Sequence, residues 1–128
     1  GQNVKLEKAY SDYFAKEGQK FQKANDIAKA AENFTKSSQV SNKQLKARGL
    51  LSLGTLYFNN GASILQKATP FANSEKEKYE AEKAKALADF RKAQDYLKQA
   101  ATVEPTNEAV KETQKQVADA IAPLVEKK

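Results

Sequence analysis

The sequence predicts an all-α protein of stacked helix pairs, and three observations predict it. Ala, Lys, Glu, Gln and Leu dominate the 128 residues, which hold only five Gly and three Pro. These are strong helix formers, with few breakers among them. Apolar residues recur three and four apart along most of the chain, the period of one helix face. Finally, Ala93, Leu97 and Ala100 set a small–large–small stripe on one helix face, where a neighbouring helix can approach closely. Pro105 ends that helix, because it has no amide hydrogen to donate and biases Glu104 away from helical geometry. The partner stripe lies upstream, in Leu50, Leu53, Gly54 and Tyr57.

Residues 4–23 read as a first helix, with Leu6, Ala9, Tyr10, Tyr13, Phe14 and Phe21 on an apolar stripe and Gly18 inside it. An interior glycine costs a helix about 1 kcal/mol against alanine, so a packing reason is expected there. Asn25 or Asp26 caps a second helix that runs to about Ser38 and turns Ile27, Ala30, Ala31 and Phe34 inward. A third helix starts near Asn42 and carries Leu45, Leu50, Leu53, Leu56, Tyr57, Ile64 and Leu65. Thr69-Pro70 breaks it, Ser74 caps the next, and from Glu75 to about Val103 there is neither Gly nor Pro. The expectation is two elongated antiparallel helices over about 43–68 and 75–103. Each would be ~35–45 Å long at 1.5 Å per residue. Ile64, Leu65, Ala68 and Phe71 would meet Tyr79, Ala84 and Leu87 along the outer part of the hairpin. Asn59-Asn60-Gly61 has the composition of a turn, which leaves a kink or break open at that point. After Pro105, Thr106 or Asn107 caps a last helix over about 108–126, with Val110, Val117, Ile121, Leu124 and Val125 as its stripe and Pro123 near its end. The chain 1–128 thus divides as one domain into a first pair (4–40), an elongated second pair (43–104) and a capping helix (107–126).

Phe14, Gly18, Phe21, Ala30, Phe34 and Ser37 stand at the separations of a tetratricopeptide repeat (TPR), and the sequence resembles that family. Leu50, Leu53, Gly54 and Tyr57 repeat the first-helix signature thirty-six residues on, against a repeat of about thirty-four. Ala93, Leu97, Ala100 and Pro105 resemble the second helix of that second repeat. There are departures. Glu17 stands where the family prefers leucine, no proline closes the first repeat near Asn42, and thirty-six residues separate Tyr57 from Ala93, where about nine are usual. Residues 43–110 are similar to a group of bacterial repeat proteins whose last repeat has extended helices. The resemblance implies right-handed helical-hairpin repeats of TPR type, two pairs with the second extended, closed by a C-terminal helix with one polar side.

Composition removes most catalytic chemistry. The chain has no His, Cys, Met or Trp, so the commonest bases, nucleophiles and transition-metal ligands are missing. Glycines stand singly at 18, 49, 54 and 61, so no loop cradles a phosphate, and the spacing of a calcium loop never occurs. Asp12, Asp89 and Asp95 make an acid pair only if a pocket gathers them. No enzyme activity, cofactor or metal is expected. The net charge is +6, with ten Lys/Arg against five Asp/Glu in residues 1–64 and twelve against eleven in 65–128. Only Arg48 and Arg91 are arginines, and base reading favours arginine's planar fork, so no specific nucleic acid is expected. No apolar run is long enough to cross a bilayer, which reads as a soluble domain. The missing Met reads as processing, and with the bacterial resemblance it sets export to a cell envelope after signal-peptide removal as the expectation for location.

What remains is a surface. In the family geometry the first helix of each pair lines the concave side. The resemblance places Gln19, Gln22 and Lys23 there from the first pair, and Arg48, Leu51, Thr55, Phe58 and Asn59 from the second. That set suits an extended peptide or an acidic segment, with Leu51 and Phe58 divided between this face and the core. The family's carboxylate clamp is not among the expectations, because Ala15 and Gln19 occupy the positions of its lysine and asparagine. The function expected is a non-catalytic protein–protein interaction module. Its rivals are a structural end-piece or spacer of a longer array, and a salt-sensitive binder of an anionic polymer or membrane surface through the basic first half. Two pairs are few for a stable array; homodimerisation is one way to make up the deficit.

Overall fold

The computed structural model describes residues 2–125. Within them α1 spans Gln2–Lys23, α2 Ile27–Ser38, α3 Lys43–Ala68, α4 Lys76–Val103 and α5 Glu108–Val125, with a short 3-10 turn at Thr69–Phe71. The last residue assigned to the capping helix, 126, lies outside the described residues. Helices α1 and α2 form a short hairpin, α3 and α4 a long one, α2 packs on α3, and α5 lies along α4. The fold is all-α and TPR-like.

Polar side chains set most of the helix boundaries. The amides of Asn25 and Asp26 bond back to Gln22 and Phe21, with Asn25 in the left-handed region at φ 61°. This is the Schellman ending, which asparagine tolerates better than most residues. Of the two candidates for the α2 cap, Asp26 does it, accepting from the Lys29 amide at 3.1 Å. Asn42 caps α3 by accepting from Leu45, and Asn107 rather than Thr106 caps α5 by accepting from Val110. Ser74 does not cap α4. The 3-10 turn carries the chain on, the Glu75 amide bonds to the Phe71 carbonyl at 2.9 Å, and Glu75 takes the cap position without a side-chain bond. Asn59-Asn60-Gly61 is helical throughout, and α5 runs through Pro123 to its last described residue.

The long hairpin explains that continuity. A Cβ added at Gly54 would lie 2.7 Å from Leu97 Cγ, and one added at Gly61 would lie 2.8 Å from the Phe90 ring. Both distances are shorter than any normal Cβ contact, so each glycine marks a close crossing. One heptad up α3 corresponds to one heptad down α4, as in an antiparallel coiled pair. Between these crossings Tyr57 stacks on Tyr96 with ring centres 5.8 Å apart, and Phe58 tilts against Phe90 at 5.6 Å. Ala86, Phe90, Ala93, Leu97, Val117 and Ile121 form one core; Ala30, Phe34, Leu50, Leu53, Leu56, Ala100 and Val110 form the other.

The short hairpin closes on polar contacts. Ser11 Oγ donates to the Ser37 carbonyl and Ser37 Oγ to the Ser11 carbonyl, both at 2.8 Å and fully buried. The Phe34 ring lies where a Gly18 side chain would be. Several expected apolar positions are not buried. Leu6, Ala9, Tyr10 and Tyr13 are exposed, because α1 buries the side carrying Ser11 and Gly18 and no described element covers the neighbouring side. Ala84 is exposed and Ala86 takes its place in the core. On α5, Leu124 packs inward, while Val125, about 100° further round the helix, faces out.

Glu7 ties α1 to the loop before α3. Its carboxylate accepts from the Ser41 amide (2.6 Å), the Ser41 hydroxyl (2.7 Å) and the Asn42 amide (3.2 Å). The Ser41 backbone bond, followed by the Ser41 hydroxyl, holds the carboxyl below the usual glutamate value. A carboxyl depressed in the folded state stabilises above its unfolded pKa, and the benefit is lost as pH falls through the folded value. Glu7→Gln should therefore melt lower than wild type at neutral pH and converge with it under acid conditions below the ordinary glutamate range. Thermal melts across pH would show this; a constant difference at every pH would refute it.

Candidate interaction face

The eight residues expected on the concave face separate into four settings. Gln22 and Asn59 come together. With Asn25, Asn60 and Ser63 they line a hollow of about 200 Å³, floored by Ile27 and Leu56, where the tip of the first hairpin meets α3. No charged side chain lines it. Gln19 and Lys23 are exposed on α1, and Thr55 is half-buried on α3.

Arg48 is engaged within the fold. Its Nη1 pairs with Asp12 Oδ1 at 2.7 Å and its Nη2 donates to Ser11 Oγ at 2.8 Å. Asp12 also takes Lys8 Nζ at 2.7 Å. The hydrogen bond from Lys8, then that from Arg48, holds the Asp12 carboxyl below the ordinary aspartate value. This guanidinium joins α1 and α3 directly over the buried serine pair. It is a buttress more than a free donor.

Leu51 packs against both cores. Phe58 does double service: it packs on the second core and lines a mostly apolar hollow of about 360 Å³ with Ala62, Leu65, Phe90, Ala120 and Pro123. The three candidate aspartates, Asp12, Asp89 and Asp95, are dispersed. Asp89 accepts from Asn60 at 2.6 Å and Asp95 from Gln99 at 3.0 Å, so neither joins Asp12. Among the described residues, no three of Asp, Glu, His or Cys gather closely enough to hold a metal. None of the described helices is long and apolar enough to cross a membrane.

Sequence reasoning did not find Glu7, Ser11, Asn25 or Ser63. Ser11 carried a usable signal, since it stands one heptad before Gly18 on the same helix face. Glu7 carried none, because its partners lie more than thirty residues away across two helices.

Two hairpins that cross at glycines and stack side by side, with a fifth helix along the last, define a helical repeat protein of TPR type. No protein-family model and no curated protein matches the chain. Among solved structures it is similar to a TPR repeats protein from Bacteroides fragilis NCTC 9343, whose crystal structure was determined at 1.50 Å. The two are 51% identical and superpose with a TM-score of 0.90 over 92% of this chain. The chain spans about half of that protein's length, 53%.

Proposed function

We propose that the chain is a non-catalytic protein–protein interaction module that takes an extended peptide or protein segment along the face shared by α1 and α3. Gln22 and Asn59 would bond the segment's main chain, Gln19, Lys23 and Thr55 would flank it, and Phe58 would offer an apolar contact. Arg48 and Leu51 would support this face from beneath. The observation that carries the reading is the uncharged hollow of Gln22, Asn25, Asn59, Asn60 and Ser63. Carboxamides from two separate hairpins converge there, and each supplies both a donor and an acceptor, as a peptide bond requires.

A capture experiment tests it. Wild type and a Gln22→Ala/Lys23→Glu/Asn59→Ala variant, both immobilised, are exposed to source-cell lysate at low and high salt. The expected result is a discrete protein retained by wild type at high salt and held about tenfold more weakly by the variant, a difference of 1.4 kcal/mol. Equal retention by both proteins would refute the face. Heterogeneous material that washes off with salt would favour the basic surface as a binder of anionic polymers.

One observation favours a second reading, a structural end-piece or spacer within a longer repeat protein: the similar Bacteroides protein is nearly twice as long. Repeat arrays transmit stability between neighbouring units. A gain in melting temperature on adding flanking sequence from the gene would support that role.

A further inference from the structure

Asn60 is the only asparagine of the chain followed by glycine. That pairing is the one most prone to lose its side-chain amide, because glycine has no Cβ to keep its own nitrogen from the asparagine Cγ. The Gly61 nitrogen bonds to Asn60 Cγ and expels ammonia, closing a succinimide ring. Water then opens the ring at one carbonyl to leave aspartate, or at the other to leave isoaspartate. In sum, a carboxamide and water become a carboxylic acid and ammonia.

The fold withholds what that reaction needs. Asn60 and Gly61 both lie inside α3. There a ψ of about −42° aims each amide nitrogen along the axis at the carbonyl four residues back. The Gly61 nitrogen is thereby turned to Tyr57 and held off the line of attack on Cγ. Its backbone has no room to swing: a Cβ on Gly61 would lie 2.8 Å from the Phe90 ring and 3.0 Å from the Ala86 carbonyl oxygen. The carboxamide is pinned too. Asn60 Nδ2 donates to Asp89 Oδ2 at 2.6 Å across the hairpin, and an ionised carboxylate only accepts, which fixes the end of the amide that faces it.

We propose that Asn60 is a modification site that the fold keeps closed: it deamidates when the hairpin of α3 and α4 opens, and the product resists closing again. The second half follows from the same contact. With a carboxylate at position 60, the hydrogen bond to Asp89 becomes a meeting of two anions. Charge is already felt there: burial first, and Asp89 second, push the Tyr57 hydroxyl above its usual value. Isoaspartate disrupts more, since it adds a backbone methylene at a crossing that has no space for a Cβ. The step is therefore one-way. A chain that has once unfolded carries the mark at residue 60, as a charge in an otherwise uncharged hollow.

Asn73 supplies an internal control, because it precedes Ser74 in the exposed turn before α4 and no helix crossing holds it. The 128-residue chain, folded in buffer or unfolded in guanidinium chloride, is incubated at one neutral pH and temperature, then digested and mapped by mass spectrometry. Conversion at Asn60 should be at least about tenfold slower in the folded protein, a larger slowing than at Asn73. Equal rates at Asn60 in the two states would overturn the proposal, and so would an unfolded chain in which Asn60 converts no faster than Asn73. The consequence is read separately, by urea unfolding. Asn60→Asp should unfold at a lower midpoint than wild type, and adding Asp89→Asn should recover most of the loss, since a donor then faces the new carboxylate. A wild-type midpoint for Asn60→Asp, or a loss that the second substitution leaves unchanged, would overturn the one-way step. None of these outcomes depends on whether the hollow binds a peptide.

Discussion

Phe90→Ala is expected to destabilise the protein by about 3–5 kcal/mol, the range for deleting a fully buried ring. Phe90 is 1% exposed and sits at the centre of the second core. It fills the space left by Gly61 on α3 and meets Phe58 across the hairpin. Its removal would leave Gly61, which has no side chain of its own, facing the space the ring now fills. The space left beside Phe58, Ala62 and Leu65 is mostly apolar and offers water few partners, so the loss is that of an unfilled cavity. Urea unfolding should show a lower midpoint with little change in slope. A loss of less than about 1 kcal/mol would mean that the hairpin collapses to fill the site, and that the heptad register described above is not rigid.

Gly49→Ala should also destabilise, although in an exposed helix the same change gains about 1 kcal/mol. A Cβ at position 49 would lie 2.6 Å from the Ser38 Cβ and 2.7 Å from its Cα and amide nitrogen. Two of those atoms belong to the backbone of α2, so no rotamer change relieves the clash. The helices must separate, and overpacking of this kind costs about 1–3 kcal/mol or more. The overpacking term wins because Gly49 and Ser38 are both buried where the two hairpins meet. A melting temperature at or above wild type would show that α2 can shift away from α3 at little cost, which would make the junction between hairpins a soft one.

These residues also show how far the sequence could be read. Gly18, Gly54, Phe34 and the Ala93–Leu97–Ala100 stripe were legible because one helix face records its neighbours as a local pattern of small and large residues. The caps at Asp26, Asn42 and Asn107 were legible because a side chain two or three positions from an amide acts within its own turn. The interaction face was legible only as a set of candidates. Gln22 and Asn59 converge on one hollow, but Arg48, which reads as an open cationic donor, is committed to Asp12 and Ser11. Nothing local to residue 48 announces that commitment.

By itself the sequence determined the all-α class, the TPR-like pairing of helices and the absence of the residue types on which most catalytic sites depend. Periodicity, propensity and composition act within a few residues of one another, so the chain states them directly. Tertiary structure alone decided three other things: that Asn59-Asn60-Gly61 is a helix crossing and not a turn, that Glu7 and Arg48 bind the hairpins together, and that Leu6, Tyr10 and Tyr13 are left uncovered. The physical reason is common to all three. Each depends on what another helix brings to the same point in space: the Phe90 ring that occupies the gap beside Gly61, the Ser41 amide and Asp12 carboxylate that reach across hairpins, and the absence of any described helix over the outer flank of α1.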